Sequence, residues 1–335
     1  MPVFIASGEH VKALLSRNAD LADNLHVTIG SSAFDPVEMW TDGDLNEYYG
    51  YMTTADVLVG YSFPTENISI YAPDLRMIHL ISAGIDHLAP FSWAPPDVKL
   101  INNSGVHKQK VGESALMLLL MLNSRMPRLV TMQREGKWKQ LFTTLIAGKT
   151  LTVFGVGNLG GAIAMQAKAL GLTVIGVGPN IKNHPYCDDF LSLSDMKDAF
   201  SRSDFLAVTA PLTSETKGII SERALSWLPP HAGFLNISRG GLVDNKALDR
   251  KLRDGELDCA ILDVTDPEPL PPGHYLWETP NLIITPHVMG DDSINYMPLT
   301  LDLTISNVRR MLNGEALLNV VDTADKRRYT MFRVR

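Results

Sequence analysis

The stretch 151–161, LTVFGVGNLGG, constrains this chain more than any other. β-prone residues run into glycines at 155, 157 and 160, and a small-residue helical pattern with Ala162, Ala164, Ala167 and Ala169 follows at once. Strand, glycine turn and helix in that order suit a dinucleotide pyrophosphate. Gly155 permits the tight turn, Gly157 lets the backbone approach the phosphates, and Gly160 lets the helix press on the sheet. Amides at the helix start, in the segment of Asn158 and Leu159, then aim at the negative charge. A glycine triplet also occurs in structural loops, so the flanking strand and helix carry the nucleotide reading.

A length of 335 residues suits two domains with large cores, and a composition 45% hydrophobic and 20% charged is that of a globular chain. A net charge of −7 with no compensating basic run gives no field for nucleic acid or an anionic membrane, so neither is an expected partner. Cys187 and Cys259 cannot make a disulfide framework, and neither belongs to a C-x-x-C pair. Two reduced thiols and no metal are expected. The start MPVFIASGEHVKALL lacks a basic region followed by a long apolar core, and the longest apolar run, 115–122, is too short to span a bilayer. A cytoplasmic location follows as the expectation.

Short β-rich runs at 3–6, 25–29, 57–61, 77–81 and 98–101 leave room for helices between them, which predicts a parallel α/β sheet without a glycine fingerprint. Residues 111–126 predict one long apolar helix ended with the help of Pro127, buried between domains or against another subunit, with Met117, Met121 and Met126 as core residues. A second alternating series runs from strand 151–155 through helix 158–170 and strands 172–177, 205–209, 234–237 and 259–264 to strand 282–285. That is the count of a doubly wound nucleotide domain. A last helix, 291–313, is expected to return to the first sheet, and 314–335 reads as a surface tail.

Open parallel sheets present functional residues at the carboxyl ends of their strands. Three such ends carry Arg239 after FLNIS, Glu268 after ILDV and His287 after LIITP. A guanidinium can hold a carboxylate and polarise the neighbouring carbonyl, and an imidazole can exchange the proton that accompanies hydride transfer. A carboxylate on its other nitrogen fixes the tautomer and stabilises the imidazolium. Asp266 competes with Glu268 for that place, and spacing alone leaves the choice open. Each of the three also has a plain reading, as a turn arginine, a solvated loop acid and a structural histidine.

These residues sit in segments that together resemble the D-2-hydroxyacid dehydrogenases: SAGIDHL at 82–88, NNSGVHKQKVGESAL at 102–116, APLTSETKGII at 210–220, LNISRGGLVDNKAL at 235–248, ILDVTDPEPLPP at 261–272 and NLIITPHVMG at 281–290. The resemblance implies two doubly wound parallel-sheet domains: a Rossmann-type nucleotide domain, 104–290, and a discontinuous flavodoxin-like substrate domain, 1–103 with 291–335. It implies that Arg239 binds the substrate carboxylate, that Asp263 touches the nicotinamide amide, that Glu268 rather than Asp266 orients the histidine, and that His287 is the acid/base. Ala83 and Gly84 are expected to hold the carboxylate through their amides. Pro211 and Ile237, at strand ends, join the glycine loop as cofactor contacts. Glu268 argues against the formate dehydrogenase branch, which has glutamine there.

The chain departs from the NAD-using pattern after the strand VIGV, where Gly178 replaces the acid that binds the ribose hydroxyls. Asn180 and Lys182 then stand available to a 2′-phosphate, so NADP is preferred and NAD remains open. In GYSFPTEN at 60–67, Tyr61 and Phe63 suit an apolar or small substituent, or serve the core. Glyoxylate, hydroxypyruvate, pyruvate and branched 2-oxo acids all stay open. A homodimer is implied, and Trp138 either reaches a site across its interface or packs within it. The rival reading is a dinucleotide-sensing, corepressor-like module; such proteins carry long disordered tails, and little chain follows the last expected helix.

Overall fold

The computed structural model describes residues 2–4, 8–22, 25–28, 39–179 and 183–322. The chain divides into two compact units, Met1–Val106 with Asp292–Arg335, and His107–Asp291. In the first, β1 (Pro2–Phe4), α1 (Gly8–Arg17), α2 (Ala19–Ala22), β2 (His26–Thr28), α3 (Asp42–Met52), β3 (Val57–Gly60), α4 (Ile68–Tyr71), β4 (Met77–Leu80) and β5 (Lys99–Asn102) follow one another. The strands form one parallel sheet ordered β2-β1-β3-β4-β5. Every residue of β3 and β4 is buried, as in a central parallel strand covered on both faces. Thr41 starts α3 with a capping box, accepting from the Asp44 amide while Asp44 accepts from its own.

The second unit contains α5 (Lys108–Asn123), α6 (Met126–Arg134), β6 (Thr150–Phe154), α7 (Asn158–Ala169), β7 (Thr173–Val177), β8 (Asp189–Leu191), α8 (Met196–Ser201), β9 (Phe205–Val208), α9 (Glu222–Leu225), β10 (Gly233–Asn236), α10 (Asn245–Arg253), β11 (Cys259–Leu262) and β12 (Leu282–Ile284). Its seven parallel strands are ordered β12-β11-β10-β9-β6-β7-β8, so the winding reverses between β6 and β9. Ligands of such sheets bind outside the carboxyl ends at that reversal. The three-residue β8 escaped the sequence reading.

Pro127 does not end a helix that runs to 126. The apolar helix stops at Asn123, Arg125 takes a left-handed φ of 54°, and Pro127 lies in the first turn of α6. A proline lacks only an amide that the first turn leaves unpaired, so it starts a helix as readily as it ends one. The methionines expected in the core divide: Met121 is half-buried, while Met117 and Met126 are exposed at 46% and 37%. Both thiols are free, and burial pushes Cys187 up to about 11 and Cys259 up to about 12, which keeps them protonated and inert.

Helix α11 (Tyr296–Leu312) returns to the first unit and closes a buried polar network. The His79 ring of β4 meets Thr304 Oγ1 at 2.6 Å and Asn103 Oδ1 at 2.9 Å. Asn103 in turn donates to the Ile81 carbonyl and to Thr300 Oγ1. Burial pulls the His79 imidazole down to about 4. The chain after α11 is not merely a tail: Val320 bridges Ile101 antiparallel, Val321 is buried, and its amide donates to Leu100 O at 2.8 Å. Unpaired groups on the β5 edge favour such a strap.

Candidate active site

The glycines after β6 divide by what a side chain would meet. At Gly155, with φ of +97°, a Cβ would overlap the Ala210 main chain beyond β9, and at Gly160 it would overlap the Gly155 carbonyl. At Gly157 it would meet nothing within 4 Å. Two glycines therefore serve close packing, and the third keeps space clear at the start of α7. Thr209 Oγ1 ties the loop down by donating to Gly155 O at 2.6 Å. The first amides of a helix have no acceptor within it, so α7 aims donors and the positive end of its dipole at that cleared space. Leu159 is half-buried, while Gly157 and Asn158 are exposed. An exposed cradle with amide donors fits a dinucleotide pyrophosphate.

At the carboxyl end of β10, Asn236 organises the turn that carries Arg239. Its Oδ1 accepts from the Ser238 amide at 3.1 Å, and its Nδ2 donates to Arg239 O at 2.9 Å. Ser238 Oγ donates to Ala210 O, linking this turn to the glycine loop's neighbour. Arg239 is half-buried, and its Nη1 donates to Ser238 O at 2.9 Å. Gly240 lies against the Thr265 and Asp266 backbone so tightly that any Cβ would collide. That contact brings the β10 turn beside the loop bearing Glu268.

His287 follows β12, with a φ of +53° that residues other than glycine rarely adopt. Its Nδ1 lies 2.5 Å from Glu268 Oε1, and both side chains are open to solvent at 45% and 37%. A carboxylate only accepts, so the proton of this bond is on Nδ1. Nε2 is the nitrogen left to exchange a proton. Glu268 Oε2 also accepts from the Thr265 amide at 3.3 Å. Of the two candidate acids, Glu268 is the one that meets His287.

Asp263, 3% exposed at the end of β11, holds this turn: Oδ1 accepts from Thr285 Oγ1 at 2.7 Å and the Val288 amide at 3.0 Å, and Oδ2 from the Met289 amide at 3.1 Å. Ile237 is buried and Pro211 exposed. Gly178 has room for a side chain, its nearest neighbour being Phe190 at 3.5 Å. Asn180 and Lys182 lie outside the described residues.

In the first unit, Ala83 and Gly84 are half-buried after β4, and Asn102 Nδ2 donates to Ala83 O at 3.0 Å. Tyr61 is 40% exposed and stacks on His87 at 4.5 Å, with His87 Nε2 donating to Tyr61 O. Phe63 is 2% exposed and packs edge-on against Trp93, so of its two sequence readings its burial fits the core. Sequence reasoning missed His87 and Asn102, although both sit in segments it had singled out.

Residues 116–289 match the family described as D-isomer specific 2-hydroxyacid dehydrogenase, NAD binding domain. A glyoxylate reductase/hydroxypyruvate reductase of Mus musculus is 30% identical over 250 residues, 73% of this chain and 76% of that protein. A D-3-phosphoglycerate dehydrogenase of Methanocaldococcus jannaschii is 29% identical over 291 residues, 85% of this chain, which spans only 55% of that relative's length. Among solved structures, a D-isomer specific 2-hydroxyacid dehydrogenase from Xanthobacter autotrophicus Py2 in complex with NADPH and MES superposes with a TM-score of 0.81. It is 28% identical, and the match covers 97% of this chain and 98% of that one.

Proposed function

The chain belongs to the D-isomer specific 2-hydroxyacid dehydrogenases, and on that premise we propose that it reduces small 2-oxo acids to D-2-hydroxy acids with NADPH as the favoured reductant. The observation that carries the reading is the 2.5 Å bond between His287 Nδ1 and Glu268 Oε1 at the carboxyl edge of the seven-stranded sheet. A bound nicotinamide dinucleotide supplies the hydride. His287 supplies the proton to the carbonyl oxygen from Nε2. Glu268 holds the ring in the Nδ1–H tautomer and balances its charge while it is an imidazolium. Arg239, its backbone held by Asn236, offers a planar guanidinium to the substrate carboxylate and polarises the adjacent carbonyl. The amides of Ala83 and Gly84 share the carboxylate, and Tyr61 faces the substituent. Gly155, Gly157 and Gly160 shape the phosphate cradle, with Asn158, Leu159, Pro211, Ile237 and Asp263 completing the cofactor contacts.

The preference for NADPH rests on Gly178, where no carboxylate repels a 2′-phosphate, with Asn180 and Lys182 as its ligands. A homodimer is part of the proposal. Trp138, Phe142 and Leu145 are 99%, 85% and 83% exposed, and Met117 and Leu120 of α5 are exposed as well, apolar side chains that a second copy would cover.

A steady-state panel of glyoxylate, hydroxypyruvate, pyruvate and phenylpyruvate, run with NADH and with NADPH, tests the reading. Turnover of at least one acid, faster with NADPH and lost in His287→Ala while the cofactor still binds, is expected. Cofactor binding without turnover of any acid refutes it.

A further inference from the structure

The Asp263 carboxylate, proposed above as a cofactor contact, grips the turn that carries His287. His287 sits in left-handed backbone, and its amide donates to Asp263 O at 2.8 Å and to Thr285 O at 3.0 Å. The next two amides, of Val288 and Met289, converge on the Asp263 carboxylate at 3.0 and 3.1 Å. Successive amides around a left-handed residue form an anion-binding concavity, and here the anion is a side chain of the protein. Thr285 Oγ1 closes the ring on Oδ1 at 2.7 Å.

We propose that Asp263 is a positioning residue that fixes the left-handed conformation of His287 by occupying the amide nest after it, and so aims the imidazole Nδ1 at Glu268. This rests on the reading of His287 as acid/base. A carboxylate offers about four acceptor sites. Three are engaged inside the turn, so one remains for a carboxamide, and the two roles coexist. Without the carboxylate, the Val288 and Met289 amides lose their acceptor, and only the main-chain bonds of the His287 amide oppose relaxation from a φ of +53° toward commoner backbone, which swings the ring off Glu268.

The test uses Asp263→Ala and Thr285→Val in the full-length protein. Long-range proton–nitrogen NMR spectra of the histidine rings, with the His287 signals identified by their loss in His287→Gln, read which ring nitrogen carries the proton. Wild type should show His287 as the Nδ1–H tautomer, and both variants should show a mixture with the Nε2–H form. Misplacement of this kind should lower kcat about a hundredfold in Asp263→Ala. In Thr285→Val kcat should fall several-fold with KM for NADPH nearly unchanged, a split that a cofactor-only role for Asp263 does not produce. An intact Nδ1–H tautomer in Thr285→Val together with wild-type kcat overturns the proposal, and Thr285→Val still decides if Asp263→Ala fails to fold. If no 2-oxo acid is turned over, the functional reading falls while the tautomer spectra still judge the positioning role.

Discussion

Replacing Gly157 by alanine separates two kinds of glycine within one loop. Its φ of −95° is open to every L residue, and a Cβ there meets nothing within 4 Å. Gly157→Ala should leave the unliganded protein as stable as wild type, or more stable by about 0.4–1 kcal/mol, because alanine restricts the unfolded chain. The methyl stands where a phosphate must approach the start of α7. Loss of one charge-assisted hydrogen bond, worth about 1.5–3 kcal/mol, raises Kd for NADPH about ten- to a hundredfold. Gly155→Ala should behave in the opposite way. At φ of +97°, with its Cβ driven into Ala210, it should cost about 2 kcal/mol or more and lower Tm by several degrees. Scanning calorimetry without cofactor and fluorescence titration with NADPH measure the two quantities. The reasoning fails if Gly157→Ala binds NADPH like wild type, or if it melts as early as Gly155→Ala.

Two further outcomes are expected. His79 is depressed to about 4 by burial, so the unfolded chain, with an ordinary value near 6.5, binds the extra proton; stability is fully present above 6.5 and drains away as pH falls toward 4. A depression of that size corresponds to about 3 kcal/mol, which hydrogen exchange on the β4 amides should show as an acid-side loss that is much flatter in His79→Gln; equal slopes for the two proteins contradict it. Trp138→Glu with Phe142→Glu should convert a dimer into a monomer in sedimentation, and an unchanged sedimentation coefficient removes those residues from the interface.

The glycine loop was legible because its signal is local: strand, turn and helix are adjacent in sequence, and each glycine has a mechanical reason. Arg239, Glu268 and His287 were legible as strand-end residues, but the pairing of Glu268 rather than Asp266 with His287 is a distance between loops that no spacing encodes. The role of Asp263 in the turn depends on the backbone angle at residue 287, which composition does not reveal. The break at Asn123 was hidden because Pro127 is compatible with either end of a helix. Met117 and Met126 misled because an apolar side chain reads the same in a sequence whether the fold buries it or leaves it exposed. The strap at 319–321 pairs with residues more than two hundred positions away, beyond the reach of any local pattern.

The network around His79 has a consequence for biosynthesis. His79 and Asn103 leave the ribosome well before their partners Thr304 and Thr300 on α11, which follow 225 and 197 positions later. Until that helix arrives, His79 Nδ1 and Asn103 Nδ2 lack these partners, and the flank of Val57, Val59 and Met77 lacks Leu301, Ile305 and Val308 as its cover. The unit His107–Asp291 is contiguous in sequence. It can close before α11 is made, so the first unit, begun earlier in the chain, becomes native later.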